Sequence, residues 1–116
     1  MSRWERKISP IMEIQLFTGT VNLGSIEAAI VDESMRVIGG TLNSSSAYFS
    51  NFQSFFRLNT ETMNWKKLAA LDLIAILKPH EVINCAGGIC ITDVEEFDEI
   101  GVEVCGLDQQ MLNKFW

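Results

Sequence analysis

The amino-acid sequence predicts an α+β domain with a small, mainly antiparallel or mixed sheet packed by two to four helices. Three observations carry this expectation. Runs of period-two alternation stand at the start of the chain and return near its end. Between them lies a stretch whose apolar residues recur at helical spacing. The composition, 47% hydrophobic and 21% charged over 116 residues, is that of one globular domain, 1–116, able to bury a core without staples.

Taken in order, Ile11–Phe17 alternates apolar with polar residues, Glu13 and Gln15 falling on one side, and reads as a strand with one wet face. Thr18–Gly24, with two glycines and an asparagine, reads as a loop. Ile26–Val31 and Met35–Leu42 read as a hairpin turning at Asp32-Glu33-Ser34, and Gly39-Gly40 marks a bulge or a close backbone approach. Ser44-Ser45-Ser46 supplies N-cap hydroxyls for a helix whose face is Tyr48, Phe52, Phe55 and Phe56, although a strand over Ser46–Leu58 suits the aromatic content nearly as well. Thr60–Leu77 is rich in helix formers and predicts the main helix, with Leu68, Leu71 and Ile74–Ile76 in the core, Lys78 at its C-terminal end and Pro79 as its stop. Glu81–Cys85 and Gly88–Thr92 read as two short strands joined by a tight turn at Ala86-Gly87-Gly88. Thr92 or Asp93 would cap a short acidic helix ending at Gly101, with Val94, Phe97 and Ile100 turned inwards. Val102–Cys105 is a further strand, and Leu107–Trp116 a closing helix.

The residues with chemical potential form no established catalytic pattern. Cys85, Cys90 and Cys105 are odd in number and have apolar or glycine neighbours, which predicts free thiols packed in the core. Four residues separate Cys85 from Cys90, wider than zinc or redox pairs use, so neither a metal site nor a cofactor is expected. The single histidine, His80, would have to reach a cysteine to activate it. Gly87-Gly88 lacks the following helix and the lysine of a phosphate loop.

Charge asymmetry is the most distinctive feature. From Glu81 to Asp108 stand eight carboxylates (Glu81, Asp93, Glu95, Glu96, Asp98, Glu99, Glu103 and Asp108) and no lysine or arginine. From Met1 to Lys78, eight basic residues meet seven acidic ones. The net charge of -6 therefore sits almost wholly in the last third, and it disfavours both nucleic-acid phosphates and anionic membrane surfaces as partners. The basic N-terminus is not followed by an apolar run of signal-peptide length, and the longest apolar stretch, Leu73–Leu77, is far too short to span a bilayer, which implies a cytoplasmic protein. An acidic face of Asp93, Glu95, Glu96, Asp98, Glu99 and Glu103 suits a basic protein partner, with Trp4, Trp65 and Trp116 as possible aromatic anchors.

In size and acidity, over its whole length, the chain resembles bacterial toxin-immunity proteins, including those of contact-dependent inhibition systems. That resemblance implies an inhibitor that neutralises a basic toxin domain, such as a nuclease, and is not an enzyme. Two other classes remain open on the residues alone. One is a small enzyme or ligand-binding domain using a cysteine or His80 near the Gly87-Gly88 turn. The other is a structural or oligomer-forming module.

Overall fold

The computed structural model describes residues 12–78 and 80–115. Among them seven strands form one antiparallel sheet: β1 (Met12–Thr18), β2 (Val21–Asp32), β3 (Val37–Ser44), β4 (Leu73–Leu77), β5 (Glu81–Val82), β6 (Cys85–Thr92) and β7 (Gly101–Leu107). Their spatial order is β5-β4-β1-β2-β3-β7-β6. Three helices accompany them, α1 (Gln53–Glu61), α2 (Trp65–Ala70) and α3 (Gln109–Asn113). The α+β class holds, with a larger sheet and shorter helices than the sequence suggests.

The order of strands dictates the curvature. β5 and β6 lie at opposite edges of the sheet yet are joined by only Ile83 and Asn84. A link that short spans about 10 Å at most. The sheet must therefore curl into a half-barrel until its two edges meet, and the Ile83 amide donates to the Ala75 carbonyl of β4 (2.9 Å) at that junction. The concave face is apolar with the period of two that strands require: Ile14 and Leu16, Leu23, Ile26 and Ala28, Ile38 and Leu42, Ala75 and Leu77, Ile89 and Ile91, Val102 and Val104 are all buried. Tyr48 and Phe56 from the α1 region, and Met111, Leu112 and Phe115 from the C-terminal end, complete this core.

Several elements match the sequence closely. Glu13 is exposed and Gln15 half-buried while Ile14 and Leu16 are buried. The Asp32 carboxylate accepts from the Ser34 hydroxyl (2.8 Å) and the Met35 amide (3.1 Å), closing the turn between β2 and β3. Gly39-Gly40 is a close approach: a Cβ on Gly39 would lie 2.6 Å from the Val102 carbonyl oxygen, and one on Gly40 2.5 Å from that of Glu27. The Tyr48 amide donates to the Ser45 hydroxyl (3.2 Å), so the aromatic stretch is helical and capped as a serine N-cap requires. A π-helical turn, Tyr48–Phe52, leads into α1.

Four expectations are corrected. First, the segment expected to be a loop at 18–24 is mostly strand. A two-residue turn, Gly19-Thr20, separates β1 from β2, which then runs for 12 residues. Second, there is no single helix from Thr60 to Leu77. α1 stops at Glu61, the six-residue α2 follows an Asn64 cap, and Asp72 takes a left-handed backbone (φ 52) that ends the helical path. Leu73–Leu77, a five-residue apolar run, then pairs with β1 from Thr18 to Ile14. Sheet pairing overrides the helix propensity of a short buried segment, and Leu71 is left only half-buried. Lys78 follows a strand and pairs with Glu13 (2.7 Å); Pro79, expected to stop the helix, lies outside the described residues. Third, Ala86-Gly87-Gly88 is not a hairpin turn. It lies inside β6, where the register with β7 shifts between Cys85 and Gly88, and Gly88 has φ 83. Fourth, residues 93–100 are an irregular loop, with one turn in which the Phe97 amide donates to the Val94 carbonyl (2.9 Å). In a helix Glu95 would face Asp98 and Glu99, and Glu96 would face Glu99, all like-charge pairs.

Candidate acidic interface

The acidic loop is pinned at both ends. At its start, Asp93 is 2% exposed. Its carboxylate accepts from the Tyr48 hydroxyl (2.7 Å) and from Arg57 Nε (3.1 Å). Its amide donates to the Thr60 hydroxyl (3.1 Å), which in turn donates to the Phe56 carbonyl (2.7 Å). A buried carboxylate needs such partners to offset lost hydration. At the far end, Ile100 is buried and its carbonyl accepts from the Leu42 amide (2.8 Å). Between these anchors Glu95, Glu96, Phe97, Asp98 and Glu99 are exposed, Phe97 to 66%.

The eight carboxylates of this region thus divide by role. Glu81 pairs with Lys114, Asp93 with Arg57, and Asp108 caps α3 by accepting from the Met111 amide (2.8 Å). The remaining five, Glu95, Glu96, Asp98, Glu99 and Glu103, are exposed and make no ion pair among the described residues. Glu103 stands on β7 between Gly39 and Cys90 of its neighbouring strands. Asp93 departs from its companions: it faces the interior and does not belong to an exposed face. Strand parity carries the signal that was missed. Ile89, Ile91 and Asp93 are successive inward positions, so the alternation of β6 points Asp93 inwards. Its partners Tyr48 and Arg57 lie 45 and 36 residues earlier and have no local sequence signature. Of the expected aromatic anchors, Trp65 is 71% exposed but belongs to α2; Trp4 and Trp116 lie outside the described residues.

The thiols depart from the core expectation. Cys90 is exposed, and Cys85 and Cys105 are half-buried. All three lie on the adjacent strands β6 and β7. Burial pushes the Cys85 thiol above its ordinary value, partly offset by the Gly88 amide. Burial, and then the charges of Glu103 and the two other cysteines, push Cys105 up as well. Both shifts oppose nucleophile activation. His80 is exposed in the turn after β4 and makes no hydrogen bond to a cysteine among the described residues. No cluster of three metal-ligating side chains is found among them either. Cys90 should therefore label with a thiol reagent in the native protein, while Cys85 and Cys105 should label fast only in denaturant or at alkaline pH. Mass spectrometry of briefly labelled protein reads this directly, and rapid labelling of Cys85 at neutral pH would contradict the assigned environment.

The geometry defines a protein with a curled antiparallel sheet and a pinned acidic loop bearing one exposed aromatic side chain. No protein-family model matches the chain, and comparison with curated proteins and with solved structures finds no match. No described helix is long and apolar enough to cross a membrane.

Proposed function

We propose that this chain binds and neutralises a basic protein partner, such as a nuclease toxin domain, as an immunity protein does. The observation that carries the reading is the arrangement of Glu95, Glu96, Asp98 and Glu99 around exposed Phe97 on a loop whose ends are fixed by buried contacts. Four carboxylates in five residues, without an ion pair among the described residues, create a negative potential that steers a cationic partner and raises its association rate. The aromatic side chain at the centre supplies apolar contact that charge alone does not. Fixed loop ends lower the ordering cost of binding. Glu103 extends the same charge onto β7. The partner-binding residues on this reading are Glu95, Glu96, Asp98, Glu99, Glu103 and Phe97, without cofactor or metal.

The test is charge reversal of Glu95, Glu96 and Glu99 to Lys. These exposed positions should each change stability by no more than about 0.5 kcal/mol. Association with a basic protein partner, such as a nuclease toxin domain, should slow at least about tenfold at low ionic strength, with the difference shrinking as salt rises. Stopped-flow association rates at two salt concentrations measure it. A folded triple variant that binds as fast as wild type, and still protects a host cell, would reduce the loop to a solubility feature.

A further inference from the structure

The helix α2 is held to the domain by little packing of its own. Helices this short are not stable in water unless tertiary packing supports them. α2 has six residues, of which only Leu68 packs against the core, and that residue is half-buried. Around it the large apolar side chains are turned to solvent: Leu58 is 64%, Met63 40% and Trp65 71% exposed. With half-buried Phe55 they line one groove of about 600 Å³. Lys66 and Lys67 stand on the same groove, exposed and without an ion pair among the described residues. An apolar groove holding tryptophan and methionine beside two exposed lysines fits a ligand with one apolar side chain among carboxylates.

The chain itself carries that complement. Phe97 is exposed between Glu95-Glu96 and Asp98-Glu99. Leu58 lines both the α2 groove and the cavity of about 200 Å³ beside Glu95 and Glu96, so groove and loop adjoin at this residue. Side-by-side placement matters for assembly. When a surface and its complement adjoin, a two-fold axis between two copies satisfies both contacts at once and the assembly closes at two. We propose that the α1–α2 groove receives the acidic loop of a second copy of this chain, giving a reciprocal homodimer. This goes beyond the basic-partner reading and does not rest on it. The same loop serves both contacts, so a basic partner and the second copy compete for it.

Sedimentation equilibrium at physiological ionic strength tests the pairing on the full chain. Wild type should approach twice its 13.0 kDa mass as concentration rises. Two double variants, Lys66→Glu with Lys67→Glu and Glu95→Lys with Glu96→Lys, should each need at least about tenfold higher concentration to dimerise. Mixed in equal amounts they should recover the dimer, because each variant's loop then meets a groove of opposite charge. Trp65→Ala should weaken the dimer about thirtyfold as the central anchor, and it also reads the groove should a charge variant lose its native circular dichroism. A wild type that stays monomeric to about 1 mM overturns the proposal. So does a dimer indifferent to both reversals, or a mixture that stays dissociated. The basic-partner reading fails separately: the Lys66→Glu, Lys67→Glu variant keeps the acidic loop and should still bind a basic partner.

Discussion

Phe56→Ala should lose about 3–5 kcal/mol of folding stability, the cost of deleting a fully buried ring and leaving a cavity. Phe56 is 0% exposed, stacks on Tyr48 at 5.9 Å between centroids and 13° between planes, and meets Phe55 edge-on at 5.1 Å. It is the ring that fixes α1 over the concave sheet, and its carbonyl is part of the hydrogen-bond chain holding Asp93. The same helical stretch supplies its own controls. Phe49 is 53% and Leu58 64% exposed, so at concentrations where the chain is monomeric Phe49→Ala and Leu58→Ala should each change stability by no more than about 0.5 kcal/mol. Chemical denaturation of the three variants separates the cases. Equal losses at positions 49 and 56 would mean that the buried face of this helix is assigned to the wrong residues. The Phe56→Ala variant should also loosen the start of the acidic loop, which amide hydrogen exchange at Asp93 and Val94 reports.

What was legible in the sequence follows the reach of the signals involved. The β1 alternation, the turn at Asp32–Ser34, the Gly39-Gly40 approach and the Tyr48–Phe56 face are encoded within a few residues of one another, and the structure carries each of them. Leu73–Leu77 does not declare its type locally, because five consecutive apolar residues suit a buried strand and a buried helix equally. Its partner, β1, lies about sixty residues away, beyond the range of any local pattern. The joining of β5 and β6 is hidden from the sequence for a related reason. Two short β-like runs close in sequence suggest a hairpin, whereas here they occupy opposite edges of a sheet that curls until those edges meet. The acidic segment was recognised by its charge, which is local, but its conformation was not. Asp93 looked like a helix cap and is instead the buried anchor of a loop, because a tyrosine 45 residues earlier supplies its hydrogen bond.

That tyrosine gives the second large effect, since Tyr48 is the chain's single tyrosine and every tyrosinate signal belongs to it. Its ring is 0% exposed and its hydroxyl donates to Asp93. Burial, then the hydrogen bond to Asp93 and the charge of that carboxylate, push the phenol far above its ordinary value of 10.0; Arg57 pulls weakly the other way. The folded value lies above the unfolded one, so the stabilisation is whole below pH 10 and is lost as pH climbs from the unfolded value towards the folded one. In that window the unfolded chain releases a proton that the native protein retains. The loss should be about 1.4 kcal/mol for each pH unit. Native protein should therefore show no tyrosinate absorbance near pH 10, and the signal should appear at higher pH together with the loss of circular dichroism. In Tyr48→Phe, stability at neutral pH should fall by about 1.5–3 kcal/mol through the lost hydrogen bond to a buried carboxylate, and the alkaline decline should be shallower than in wild type by the one proton no longer released. A reversible tyrosine titration centred near pH 10 with intact circular dichroism would show that the phenol is solvated, and that Asp93 holds the acidic loop without it.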